Sequence, residues 1–280
     1  MADRVLVITG GSRGIGAATA KLAANELGWA VCVNYAGNKA AADQVVAEIE
    51  AAGGVASAVQ GDVGKAEDVA RIFAHADGMG ELAGLVNNAG VVDVAARVDA
   101  LSAERLNRMW TINLTGSFLS AAEAVKRMSQ KHGGKGGAIV NLTSAAAKLG
   151  APGGMVHYAA SKGAIDTFTV GLALEVAGEG IRVNAVRPGV IDTDIHAAGG
   201  APDRVKQMES SLPMPRAGTA EEVAEAAPAQ LDEKERKKLI KDRQKLQAEL
   251  AEKQGESPLI LPTADAQAVA SVVGDWTGIP

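Results

Sequence analysis

The sequence predicts a doubly wound α/β fold with a parallel sheet. Three observations carry that expectation. Short apolar runs at 5–9, 30–34, 56–59, 85–88, 138–142 and 181–186 alternate with longer amphipathic segments. The runs are continuously Val-, Ile- and Ala-rich rather than alternating, as suits strands buried on both faces. A glycine-rich string falls between the first run and the first helical segment, where this architecture places a ligand.

The elements follow in order. Residues 39–52 place Val45, Val46 and Ile49 on one face and stop at Gly53-Gly54, a helix with a glycine end signal. A long helix is predicted over 102–129 and another over 156–177. Strand–helix alternation of this kind is the Rossmann pattern. After Gly189 the rhythm breaks. Residues 192–218 hold Pro202, Pro213, Pro215 and several glycines, with a short helix expected around 203–210. A segment so placed, just after a core strand, suits a lid over a substrate. Thr219 and Glu222 have capping-box spacing at the head of a further helix, which Pro228 is expected to interrupt.

Composition narrows the function. Among 280 residues the net charge is −5, so no bulk attraction to nucleic acid or anionic membrane is expected. No apolar stretch is long enough to span a bilayer. The single cysteine, Cys32, sits between Val31 and Val33 and reads as a buried strand thiol. It excludes a disulfide framework and suits a reducing, cytoplasmic setting. His75, His132 and His196 have no metal-ligand spacing, and no metal is expected. His157 reads as a loop histidine, and Met155 and Trp110 as packing residues. Domain boundaries are expected near 227: a catalytic domain over 1–227 and a helical appendage over 228–280.

Thr9-Gly10-Gly11-Ser12-Arg13-Gly14-Ile15-Gly16 follows the first strand and opens a helix. Glycines there let the backbone approach a pyrophosphate, which then meets the free N–H groups and positive dipole of the helix start. The second strand ends at Asn34-Tyr35, and from Gly16 onward only Glu26 precedes Asp43 as a carboxylate. A carboxylate at the strand end would select the free ribose 2′-hydroxyl of NAD(H). Its absence, with Arg13 nearby, favours NADP(H) over NAD(H). Asp62 and Val63 flank the expected adenine site, and Asn87, Asn88, Ala89 and Gly90 end the fourth strand on the same sheet edge.

Tyr158 and Lys162 stand four residues apart in a helical segment and share a face. An ordinary tyrosine, with a pKa of about 10, is a poor base near neutrality. A neighbouring ammonium would stabilise phenolate and lower that value. Tyr158 then suits proton exchange with a carbonyl or alcohol oxygen, and Ser144, ending the fifth strand, can hydrogen-bond the same oxygen.

Together these motifs resemble the short-chain dehydrogenase/reductase family over residues 4 to about 227. The matching residues are Thr9–Gly16, Asn87–Gly90, Asn113, Ser144, Tyr158, Lys162, Arg187-Pro188-Gly189 and Thr193. The resemblance implies a Ser144–Tyr158–Lys162 catalytic set, with Asn113 holding a water that links Lys162 to solvent. It also implies that Lys162 binds the nicotinamide ribose, while Pro188, Gly189, Ile191 and Thr193 meet the nicotinamide end. The expected substrate is a small carbonyl/alcohol pair, of the kind handled by 3-oxoacyl reductases or sugar dehydrogenases. Pocket-lining loops are expected at 91–96, 145–157 and 192–210. A homodimer through the helices at 102–129 and 156–177 is expected.

The C-terminus departs from the family, which continues into a seventh strand. Here a charged run over 231–254 and the ending Trp276-Thr-Gly-Ile-Pro280 resemble the middle-domain end of Clp-type AAA+ unfoldases. No phosphate loop ending in Gly-Lys-Ser/Thr accompanies it, so no ATPase activity is implied. The chain therefore reads as a chimera lacking the usual last strand. The alternative reading is a non-catalytic dinucleotide binder or interaction protein.

Overall fold

The computed structural model describes residues 4–212 and 214–229. These fall within one compact unit, residues 1–231. The resemblance of the tail to unfoldases, and all of the appendage expected over 228–280 except its first two residues, lie outside the described residues.

Six strands form one parallel sheet: β1 (Arg4–Ile8), β2 (Ala30–Tyr35), β3 (Ala56–Gln60), β4 (Glu81–Asn87), β5 (Gly137–Leu142) and β6 (Ile181–Val186). Their spatial order is β3-β2-β1-β4-β5-β6. The order reverses direction between β1 and β4, and the carboxyl ends there open a crevice for ligand. Side chains of each central strand leave alternately to two cores. Leu6 and Ile8 join Val31, Val33 and Val140 beneath α1 (Gly14–Leu27) and α2 (Lys39–Ala51). Val5 and Val7 join Cys32, Ile72, Phe73 and Ile139 on the other face. That face is covered by α3 (Ala66–Asp77) and by the later helical segments Gly116–Met128 and Val156–Val176. Burial on both faces explains why no polar alternation marks these strands. Cys32 is fully buried, and desolvation pushes its thiol up to about 12, so it is an inert packing group.

The long helix predicted over 102–129 is not uniform. It comprises α4 (Ala103–Trp110), a π-helical turn at Thr111–Thr115 and α5 (Gly116–Met128). A π turn inserts an extra residue into the ladder and re-aims one side chain. Asn113 is at its centre. Trp110, expected to pack, is exposed instead, because it ends α4 on the outer face.

α6 (Ala146–Leu149) is a single turn after β5, and α7 (Val156–Val176) crosses back to β6. The segment after β6 carries α8 (Ile195–Ala198) and α9 (Arg204–Met208). Two contacts seat it on the loop after β4: a Cβ added at Gly199 would fall 2.5 Å from Val92 Cγ2, and one at Gly200 would fall 3.1 Å from Val94 Cγ2. α10 (Ala220–Ala229) begins with a reciprocal capping box. Glu222 accepts from Thr219 N–H at 2.8 Å, and Thr219 Oγ1 accepts from Glu222 N–H at 3.2 Å. Pro228 does not interrupt this helix. It occupies the last turn, where its missing N–H costs one terminal bond and the helix ends a residue later. Ala220 and Ala224 pack on Ala18, and the small side chains let α10 approach α1 closely.

Candidate active site

The site is built along the carboxyl edge of β1, β4, β5 and the ends of their following helices. Gly10 and Gly14 have φ of +63° and +51°, the left-handed region that glycine adopts without strain. A Cβ at Gly16 would lie 2.5 Å from both Asn88 Nδ2 and Gly10 O, so nothing larger fits there. α1 starts with no side-chain cap and no acidic residue in its first turn. Its positive end is therefore left for an anion. A pyrophosphate fits this cradle on both steric and electrostatic grounds.

Several predicted cofactor residues act as scaffold. Asn34 is buried and its side chain is consumed: Oδ1 accepts from Gly10 N–H at 3.2 Å, and Nδ2 donates to Gly61 O at 3.0 Å. It shapes the cradle from beneath and has no side-chain group left for ribose. Asn88 Nδ2 likewise donates to Thr9 O and Gly10 O, at 3.0 and 2.9 Å. Thr9 Oγ1 accepts from the N–H groups of Asn88 and Ala89, locking β1 to β4. Ile15, in the first turn of α1, packs against the core and Val63 packs on Gly116, so only their main chains are available to a ligand. Ile191 packs on the core and on Gly218. Asp62 Oδ1 accepts from Gly64 N–H at 2.9 Å.

Other predicted residues do converge. Thr193 meets the cradle: a Cβ at Gly14 would touch Thr193 Cγ2 at 3.3 Å. Pro188 O accepts from Ala145 N–H at 2.9 Å, placing the Pro188–Gly189 turn beside Ser144. Ser12 is half-buried, and Arg13 is exposed with no ion pair among the described residues. Lys39, in contrast, is held by Asp43 at 2.6 Å.

The chemical groups meet where β5 and α7 touch. Lys162 is clamped twice: its carbonyl accepts from Thr143 Oγ1 at 2.9 Å, and its Nζ donates to Leu142 O at 2.7 Å. Burial pushes its pKa down to about 8. Nζ lies 6.0 Å from the Tyr158 ring centroid. A Cβ at Gly90 would stand 3.5 Å from Asn113 Oδ1 and 3.6 Å from Lys162 Nζ, so glycine keeps this space open. Asn113 Oδ1 accepts from Val91 N–H at 2.7 Å, and its Nδ2 donates to Val91 O and Ser161 Oγ, at 2.9 and 3.2 Å. Ser161 Oγ donates to Tyr158 O at 2.7 Å. Asn113 thus joins the π turn to the loop after β4 and to the Tyr158 turn of α7.

Tyr158 differs from expectation. Its pKa stands above the ordinary tyrosine value because burial disfavours phenolate. A side-chain hydrogen bond with Ser144 and the charge of Arg204 pull it down less strongly. Tyr158 is therefore held as a protonated hydroxyl, the form that donates to a carbonyl oxygen. The Lys162 ammonium donates to Leu142 O yet lies 6.0 Å from the Tyr158 ring centroid, near enough for its charge to act on a phenolate formed there.

Two further residues sit differently from expectation, and a third was not anticipated. His157 is not in a loop but in the first turn of α7, buried, with both ring nitrogens lacking a partner. Desolvation lowers its pKa, and Asp93 and Arg105 act on it electrostatically. Asn87 points inward, donating to Asn141 Oδ1 at 2.9 Å, and Asn141 Nδ2 donates to Thr169 Oγ1 at 2.9 Å. Ser161 bridges Asn113 to Tyr158, yet a serine in a helix carries no signal of that task.

A phosphate cradle and a Ser–Tyr–Lys set on one edge of a six-stranded parallel sheet define an NAD(P)-dependent dehydrogenase or reductase acting on CH–OH or carbonyl groups. A family profile described as short chain dehydrogenase matches residues 4–202. The chain is 55% identical over 223 residues to an uncharacterized oxidoreductase, YgfF, of Escherichia coli (strain K12), covering 79% of this chain and 90% of that protein. It is 40% identical over 222 residues to a 3-oxoacyl-[acyl-carrier-protein] reductase of Synechocystis, covering 79% and 86%. A solved short-chain dehydrogenase/reductase from Serratia marcescens superposes with a TM-score of 0.73 at 32% identity, covering 83% of this chain and 91% of that one. The chain belongs to the short-chain dehydrogenase/reductase family.

Proposed function

We propose that this protein is an NADP(H)-linked carbonyl reductase that protonates its substrate from Tyr158. The observation that carries the reading is the convergence of Ser144, Tyr158 and the buried Lys162 at the ligand edge of the sheet, with Lys162 Nζ 6.0 Å from the Tyr158 ring and Gly90 keeping the space beside it open. When bound, the nicotinamide supplies the hydride. The cradle over residues 10–16, with Gly90, Thr193 and the Pro188–Gly189 turn, would hold the dinucleotide. Ser144 and Tyr158 grip the substrate oxygen, and Tyr158 gives it a proton as the C–O π bond breaks. Lys162, held at Leu142 O, stabilises the phenolate left behind. Asn113 holds Val91 and Ser161 in place, which fixes the loop and the helix turn around Tyr158. Its side-chain amide is fully engaged, so a water relay would use the main chain instead.

Preference for the 2′-phosphate rests on charge. Arg13 is exposed and unpaired, and among the described residues no free carboxylate follows β2 before the paired Asp43. Dimerisation through 102–129 and 156–177 is supported by apolar side chains left exposed there. Phe118 stacks on Phe168 at 3.8 Å yet remains half exposed, and Val170 is 62% exposed. No helix among the described residues is long and apolar enough to cross a membrane. A cytoplasmic location fits the buried lone thiol. The chimeric reading of the tail rests on sequence alone and adds no activity.

Thermal melts with NADPH and NADH test this reading. At 100 times its dissociation constant a ligand stabilises by about 2.7 kcal/mol. NADPH should raise the melting temperature more than NADH does, and a carbonyl panel should then oxidise NADPH. Equal or absent shifts would contradict it.

A further inference from the structure

Arg204 is the first residue of α9, in the segment that Gly199 and Gly200 seat on Val92 and Val94. Across that loop, Ala96 N–H donates to Gly154 O at 2.9 Å, four residues before Tyr158. The segment thus closes over the side of the site where a substrate must extend from Ser144 and Tyr158. Arg204 is half-buried, and its charge reaches the Tyr158 hydroxyl.

Other half-buried arginines among the described residues have partners. Arg105 pairs with Asp93 at 2.6 Å, and Arg127 pairs with Asp77 and Glu123, at 2.7 and 2.6 Å. Even exposed Arg216 and Arg187 have carboxylates. The Arg204 guanidinium has no hydrogen bond or ion pair among the described residues; only its main-chain N–H is engaged, donating to Ala201 O at 3.1 Å. A guanidinium that is partly desolvated and unpaired is costly unless an anion completes it. Its planar fork matches a carboxylate or a phosphate.

Resting on the reductase reading above, we propose that Arg204 is the specificity residue of the site and recognises an anionic group on the carbonyl substrate. The substrate class is then an oxo acid or a phosphorylated ketone, with the anion at Arg204 and the carbonyl oxygen at Ser144 and Tyr158. Neutral ketones occupy the site without that anchor.

The test uses the full chain loaded with NADP⁺, in which an oxo compound binds but cannot be reduced. Calorimetry compares 4-oxopentanoate with its methyl ester, and dihydroxyacetone phosphate with dihydroxyacetone. At least one anion should bind about tenfold or more tightly than its neutral partner, as expected of a charge-assisted hydrogen bond. The pair that shows this preference tells carboxylate from phosphate. Arg204→Gln should abolish the preference and leave neutral binding within about twofold, while Arg204→Lys should retain part of it. Absence of preference in both pairs, or an equal loss for anion and ester in Arg204→Gln, would overturn the proposal. Reduction of the neutral ketones by NADPH is measured in parallel. Its survival in Arg204→Gln alongside lost anion preference supports the assignment. Its absence in the wild type, despite anion binding, indicts the reductase reading and not the anion site.

Discussion

Asn113 grips both main-chain groups of Val91: its Oδ1 accepts from Val91 N–H at 2.7 Å and its Nδ2 donates to Val91 O at 2.9 Å. The π turn at Thr111–Thr115 aims the side chain there. Asn113→Ala leaves a donor and an acceptor unpaired and should cost about 1–3 kcal/mol in a thermal or urea melt. Turnover should fall with it, because Val91 borders the site. Asn113→Asp should also destabilise, since a carboxylate cannot donate to Val91 O or Ser161.

Lys162 sets the alkaline limb of the reaction. Burial lowers its pKa from the ordinary 10.5 to about 8, so the ammonium is lost as pH rises through about 8. Reductive kcat/KM should be level below that point and fall above it. The unfolded chain keeps this proton to higher pH. Between about 8 and 10.5 it binds more protons than the folded one, and this group's contribution makes the apo protein more stable as pH rises. A rate profile without an alkaline limb would contradict the role of the ammonium.

Cofactor choice depends on the end of β2. Ala36 is exposed immediately after Tyr35. Ala36→Asp should repel the 2′-phosphate and bind the free ribose hydroxyl, shifting the NADPH/NADH ratio of kcat/KM toward NADH by about tenfold or more. Arg13→Gln should weaken NADPH and leave NADH unchanged.

The cradle tolerates no side chain at Gly16. Gly16→Ala sets a methyl 2.5 Å from Asn88 Nδ2 and Gly10 O, so β1, β4 and α1 must shift apart. Overpacking of this kind costs about 1–3 kcal/mol. The variant should lose the NADPH-dependent rise in melting temperature even where it folds.

Much of this was legible in the sequence for identifiable reasons. Continuous Val and Ile runs located the strands because both faces of the sheet are covered. β4 begins four residues before its apolar run, at Glu81, because Gly84 and the exposed Glu81 hide its start, while β1 and β5 begin only one residue early. The cradle and the Thr219–Glu222 cap were readable because each is a local device. What stayed hidden is tertiary. Periodicity does not distinguish a π turn from an α-helix, so the placement of Asn113 against Val91 was invisible. Asn34 and Asn87 carry the same side chain whether they face ligand or core. The pKa of Tyr158 is raised by burial and pulled back by Ser144 and by Arg204, 46 positions along the chain, influences that sequence spacing does not reveal.

The central claim is that Tyr158 supplies the proton, and the most direct measurement is NADPH-driven ketone reduction by Tyr158→Phe under saturating cofactor. Loss of a positioned acid should lower kcat by about 10²–10⁴-fold. The NADPH-induced melting shift should persist, because the cradle is untouched. Turnover within a few-fold of wild type would show that another group protonates the substrate and would contradict the account.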